Sequence, residues 1–311
     1  MLAPMPNIDP GLPDYDSPRA LQALLAAEGL AVSKRFGQNF LVDRYARERV
    51  LDELKAEAGT RVWEIGPGIG AMTALALDFG LAVTVFEIDH GFSRMLERLF
   101  GGNPSFKLIE GDFIDTWKTE LEATGAPDRI FGNLPYSAAN AIVASLLEGD
   151  LVPPRMIFTI QKEAGLRMIA TPGTKDYSSF SVLCASTCKC RLAFDLGSSS
   201  FWPVPRVTSS VVRMEPRKVP LAAGDRAGFS AFVRAGFSSR RKTLCNNFRT
   251  AGPAIGASRG RGDGSSIQDK LPGVLAALGI RSDIRAEALT PESLAAVYET
   301  LKSAGTGVLE S

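Results

Sequence analysis

Residues 61–80 read RVWEIGPGIGAMTALALDFG. A short, mostly apolar run enters a turn with glycine at 66, 68 and 70, and a helical pattern follows it. Working outward, the same alternation recurs: AVTVFEID then GFSRMLERLF, FKLIEGD, DRIFGN then SAANAIVASLLEG, and RMIFTI then QKEAGLRMIA. β-Branched runs alternating with helices read as βαβ units, whose parallel strands need helical crossovers on both faces. The fold class is therefore α/β, a doubly wound, Rossmann-like sheet. VTSSVVRMEP alternates with period two and is expected to close the sheet as its last strand. Beyond Pro216 the pattern turns helical, in RAGFSAFVRAGFSSRRKTLCNNFRT and PESLAAVYETLKSAG. The expected organisation is a mobile extension over 1–20, an α/β domain over 21–216 and a smaller helical domain over 217–311. The Gly/Ser-rich stretch near 251–270 reads as a surface loop.

Composition bounds the function. With 311 residues, 45% hydrophobic, the chain can bury more than one core. No apolar run approaches the ~20 residues that span a bilayer, and the N-terminus lacks the basic start and apolar stretch of a secretion signal. A cytoplasmic protein without membrane contact is expected. Cys184, Cys188, Cys190 and Cys245 fit neither paired zinc ligands nor a disulfide framework, and they read as reduced thiols. His90 is the only histidine, so a His-based triad or metal centre is not expected. Net charge is +1, but it is segregated. From Pro216 on there are 14 Lys and Arg against 8 Asp and Glu, leaving 21 against 26 before it. Such asymmetry suits a C-terminal part that attracts a polyanion.

Gly66 and Gly68 allow a tight turn that approaches a ligand closely, and Gly70 lets the next helix start nearby. With Ala71 last, the residues also satisfy GxGxxG/A, so a dinucleotide site stays open. Glu87 ends the second strand, placed to take the hydroxyls of a ribose. Asp112 follows the third, beside the cleft, where it could accept from an adenine amine. The fourth delivers Asn133, Leu134, Pro135 and Tyr136 to the same crevice, since ligands sit beyond the carboxyl ends of such strands. A base amine attacking a methyl group needs acceptors for its N–H bonds. The Asn133 side-chain oxygen and the Leu134 carbonyl are adjacent candidates. Pro135 stiffens the turn and offers no competing N–H, and Tyr136 can stack on the base. Catalysis would then be positioning and electrostatics, without a strong base.

KRFGQNFLVD, EIGPGIGAMT, GNLPYS, QKEAGLRMIATPGTKDY, FWPVPRVTSSVVRMEP and FSSRRKTLCNNF together resemble the small-subunit (16S) ribosomal RNA adenine dimethyltransferases, in that family's order over roughly residues 33–302. The resemblance implies a class I methyltransferase sheet and S-adenosyl-L-methionine as cofactor. It implies methylation of two adjacent adenines near the 3′ end of that RNA, within an immature 30S subunit. It implies a cofactor pocket of Gln38, Asn39, Leu41, Gly66, Gly68, Glu87, Ile88, Asp112, Phe113 and Asn133. It also implies a second aromatic, Phe201, that sandwiches the extruded adenine against Tyr136. Ser137–Ala138–Ala139–Asn140, Arg206 and Thr208 depart from the usual pattern and bear on the fine placement of the adenine.

Lys34 and Arg35, interleaved with Phe36 and Phe40, are expected to track RNA phosphates. So are Arg240, Arg241 and Lys242 on an expected helix, and Arg206. The protein is expected to act as a monomer, without metal. An NAD-dependent dehydrogenase would explain the glycine turn and Glu87 but not the tetrad or the basic segment. A large-subunit methyltransferase of the macrolide-resistance type shares a similar tetrad, though Leu134 stands where that relative more often carries Ile. A non-catalytic assembly factor would need no turnover at all.

Overall fold

The computed structural model describes residues 11–32, 38–251 and 267–305. It divides into two units: residues 1–143, 152–165 and 191–215 in the first, and 144–151, 166–190 and 216–311 in the second.

The first unit holds a seven-stranded sheet. Strands β2 (Arg61–Ile65), β3 (Ala82–Glu87), β4 (Phe106–Glu110), β5 (Arg129–Asn133) and β6 (Arg155–Gln161) are followed by β7 (Cys188–Leu196) and β9 (Ser209–Pro216) in the order β4-β3-β2-β5-β6-β9-β7. β2 to β6 run parallel, with Glu64 opposite Val85 and Phe131 and with Asn133 opposite Thr159. These strands read as near-continuous apolar runs because both sheet faces are covered; in β2 every residue after Arg61 is buried. Helices α3 (Ala71–Asp78), α4 (His90–Phe100), α5 (Phe113–Thr124), α6 (Ala139–Glu148) and α7 (Lys162–Met168) follow β2, β3, β4, β5 and β6 in turn along the chain. Asp89 caps α4 by accepting from Gly91 and Phe92, and Asp112 caps α5 by accepting from Ile114, so each acid sets where its helix begins. From β2 the chain builds outward to β4 and then returns to lay β5 on the other side. That reversal opens a crevice beyond the carboxyl ends of β2 and β5.

A two-stranded ribbon pairs β1 (Phe40–Leu41) with β8 (Phe201–Trp202), Leu41 facing Phe201. α2 (Arg44–Asp52) follows β1 and is capped by Asp43.

Three expectations change here. The strand expected to close the sheet, β9, is antiparallel to β6 and lies inside β7. The sequence reading missed β7 because its exposed positions are the charged Lys189, Arg191 and Asp195, which break up the apolar run. The extension expected over 1–20 carries structure in its described part, residues 11–20, where α1 (Pro18–Ala27) starts. Tyr15 and Leu21 are buried there, and Arg47 on α2 donates to Asp16 and to the carbonyls of Tyr15 and Leu41. A single division at 216 gives way to interleaved units.

The second unit packs α8 (Ser179–Thr187), α9 (Arg226–Gly236), α10 (Leu244–Ala251), α11 (Ile267–Ala277) and α12 (Pro291–Gly305) around Tyr177, Phe229, Phe232, Phe248 and Leu271. Most of the Gly/Ser-rich loop lies outside the described residues. Among the described residues, no helix is long and apolar enough to cross a membrane.

Candidate active site

The crevice is an open cleft with about 1120 Å³ of atom-free space, its mouth included. Gln38, Asn39, Leu41, Gly66, Gly68, Glu87, Ile88, Asp112, Phe113, Asn133, Leu134, Pro135 and Tyr136 all line it.

The glycine turn is held by protein contacts as much as by space for a ligand. Gly68 has φ +56°, and a Cβ there would lie 2.8 Å from the Phe40 ring; at Gly70, φ +82°, it would lie 2.6 Å from Phe100. Side chains of the neighbouring ribbon and helix, rather than a ligand alone, exclude larger residues at these positions. The Gly68 amide donates to Glu87 Oε2 at 3.0 Å, and the Asp89 amide donates to Oε1 at 2.9 Å. Glu87 is therefore fixed at the tip of β3. Burial pushes its carboxyl up to about 7, against the pull of those two amides.

A second carboxylate, Glu64, lines the cleft and was missed in the sequence. It sits in β2 just ahead of the glycine turn, 2% exposed, and accepts the Thr73 hydroxyl at 2.6 Å. Burial pushes it up to about 8; the Thr73 bond opposes the rise and Glu87 adds to it. The signal was present: an acid inside a continuous apolar run demands a partner or a task. Asp112 also lines the cleft. With these three carboxyl groups, the lining among the described residues contains no Lys, Arg or His.

At the tip of β5, Asn133 donates its Nδ2 to the Asn39 carbonyl at 2.6 Å. That bond orients the amide and leaves Oδ1 as an acceptor for another group. Tyr136 is half-buried, its hydroxyl 2.8 Å from Ser209 Oγ, so the ring is held at the edge of the cleft. Burial raises the phenol above its ordinary value, opposed by the Ser209 bond.

Phe201 does not join them. It is 2% exposed, clustered with Leu41, Phe131, Ile157 and Val211, and absent from the cleft lining. The expected sandwich partner of Tyr136 is a core residue, because pairing of β8 with β1 turns it inward.

The expected RNA contacts separate too. Arg206 is exposed, on the loop after β8. Lys34 and Arg35 lie outside the described residues. Arg240, Arg241 and Lys242 stand in the turn between α9 and α10 rather than on a helix. Arg240 is committed: Nε donates to Glu287 at 2.8 Å and the other nitrogens to the carbonyls of Lys175 and Thr174. His90 is exposed, 2.6 Å from Glu110. All four cysteines are free thiols, and among the described residues no cluster of three or more His, Cys, Asp or Glu could hold a metal.

A sequence profile described as Ribosomal RNA adenine dimethylase matches residues 29–258. A protein of Treponema denticola named Ribosomal RNA small subunit methyltransferase A is 43% identical over 282 residues, covering 89% of this chain and 92% of its own. A dimethyladenosine transferase from Plasmodium falciparum superposes with a TM-score of 0.70 at 22% identity, covering 85% of this chain and 97% of its own. For the 23S rRNA methyltransferase ErmE the TM-score is 0.56 at 22% identity, with coverages of 85% and 100%. At that identity the two solved structures speak to fold alone.

Proposed function

The chain belongs to the ribosomal RNA adenine dimethylase family, and from that premise we propose its reaction: methyl transfer from S-adenosyl-L-methionine to the N6 amines of two adjacent adenosines near the 3′ end of small-subunit ribosomal RNA, during maturation of the subunit in the cytoplasm. The observation that carries this reading is the anchored amide of Asn133. With Nδ2 spent on Asn39, Oδ1 is left to accept an N–H of the target amine, beside the Leu134 carbonyl. Two acceptors on the amine favour a pyramidal nitrogen, freeing the lone pair that adenine otherwise delocalises into its ring. Such preorganised acceptors act in the transition state without reorganising. The target base must leave its stack to reach them, and Tyr136 offers a face to receive it.

The cleft fits the cofactor by its charge. Glu87 and Asp112, with Glu64 adding charge as it ionises and with no Lys, Arg or His in the lining among the described residues, suit a ligand that carries positive charge, as a sulfonium amino acid does. Glu87 would hold the ribose hydroxyls, and Asp112 would take the adenine amine. S-Adenosylmethionine, when bound, would supply the electrophilic methyl. The chain's own residues orient the amine, and the released proton passes to water.

Incubating the protein with labelled S-adenosylmethionine and unmethylated small subunits, then mapping the labelled nucleotides, tests the proposal. Two adjacent dimethylated adenines near the 3′ end are expected. Label confined to large-subunit RNA, or calorimetric binding of NAD in preference to S-adenosylmethionine, would refute it.

A further inference from the structure

Among the described residues, the basic turn between α9 and α10 is built around a residue with no charge. Asn247 on α10 is 1% exposed. Its Nδ2 donates to the carbonyls of Gly236 and Ser239, and its Oδ1 accepts from the Ser238 hydroxyl at 3.3 Å. The Lys242 amide closes the turn on the Ser239 carbonyl at 3.2 Å, and the Leu244 amide ties its exit to Ile284 at 2.8 Å. At the turn's centre the Arg240 guanidinium spans three acceptors, on Glu287, Lys175 and Thr174. The same stretch is braced from below, the Gly173 amide donating to the Glu287 carbonyl at 2.9 Å. All three cations are exposed, but neither the Arg241 nor the Lys242 side chain meets a protein acceptor among the described residues.

We infer that this turn is a preformed RNA-backbone surface in which Arg241 and Lys242 meet phosphates, while Arg240 and Asn247 are positioning residues that never touch RNA. The inference rests on the proposed RNA substrate and assigns different work to three adjacent cations. A planar guanidinium can serve three acceptors at fixed angles where an ammonium cannot. Its fork is already used by the fold. Ordering the turn beforehand removes from binding the cost of immobilising its side chains.

Affinity for unmethylated small subunits is measured as a function of salt. Arg240→Lys keeps the charge and loses the fork. If Arg240 is an anchor, affinity falls about 2- to 10-fold, the cost of ordering one or two side chains on binding, with the salt slope unchanged. Glu287→Gln gives the sharper contrast, since it removes an acid near RNA. It weakens binding if it cuts an anchor, and strengthens binding if Arg240 was a phosphate ligand held back. Asn247→Ala should weaken binding at constant slope and speed amide exchange in residues 238–243 while α9 and α12 stay protected. Where that variant does not fold, Arg240→Lys carries the test.

Unchanged affinity in Arg240→Lys, or tighter binding in Glu287→Gln, would overturn the inference. Joint replacement of Arg241 and Lys242 by Gln probes the underlying reading. Each lost phosphate contact flattens the slope by about 0.7–0.9 and costs about 4-fold in affinity near 0.15 M salt. A slope left intact by that double change would remove this turn from the RNA interface altogether.

Discussion

Replacing Glu64 by Gln isolates one buried carboxyl whose protonation the fold controls. Gln keeps the size and can still accept the Thr73 hydroxyl, whereas it has no proton to lose. Below about pH 4.5 the wild-type carboxyl is protonated in both the folded and the unfolded chain, so it adds no pH dependence. Between there and the folded value of about 8, the unfolded chain releases the proton and the folded chain retains it. Stability therefore falls as pH rises across this window. One pKa unit is worth about 1.4 kcal/mol, so going from pH 5 to pH 8 costs the wild type about 4 kcal/mol through Glu64. The variant is spared that loss, and partly relieves Glu87 as well. Urea unfolding followed by tryptophan fluorescence is the assay. Trp63, Trp117 and Trp202 all lie in the first unit, so the signal reports the unit that holds Glu64. The stability difference between variant and wild type should grow by about 4 kcal/mol from pH 5 to pH 8. The same carboxyl, once ionised, attracts a cationic cofactor, so wild-type affinity for S-adenosylmethionine should rise over pH 6–8 and the variant's should rise less. A stability difference that does not change with pH would refute the reasoning: Glu64 would then not be held protonated by burial.

Asn133→Ala should lower turnover by about 2–4 kcal/mol, the cost of one preorganised polar contact, with S-adenosylmethionine affinity falling less; rates at the wild-type level would remove Asn133 from the chemistry. Glu87→Ala should weaken S-adenosylmethionine binding in calorimetry and leave RNA binding nearly unchanged, and an unaltered cofactor affinity would exclude the ribose role. Phe201→Ala should cost about 3–5 kcal/mol of stability, as loss of a buried aromatic does. If the melting temperature holds while RNA affinity drops, Phe201 faces the base after all.

The legibility of the site follows the range of the interactions that build it. The strand-helix alternation, the glycine turn, Glu87 and the tetrad were readable because each is a local pattern of period or spacing. The fold then carries them to one place by a simple topological rule. Glu64 was overlooked because attention went to the turn, although an acid in β2 stood out against its apolar neighbours. Gly68 and Gly70 were singled out for a reason that was incomplete, since the atoms that exclude a Cβ belong to Phe40 and Phe100. The helix expected under Arg240–Lys242 was a false extension of the pattern from α10, whose first turn begins only at Leu244.

By itself the sequence determined the class of fold, the switch point and most of the residues that line its crevice, because short-range chemistry sets strand, turn and helix, and strand order sets which ends converge. Only the tertiary structure decided which side chains remain free to act. Asn133 is oriented by a carbonyl 94 residues away, Arg240 is committed to a carbonyl 66 residues away, and Phe201 is drawn inward by pairing with Leu41. Partners so distant along the chain leave no periodic trace, since burial and hydrogen-bond choice are settled only when the elements pack.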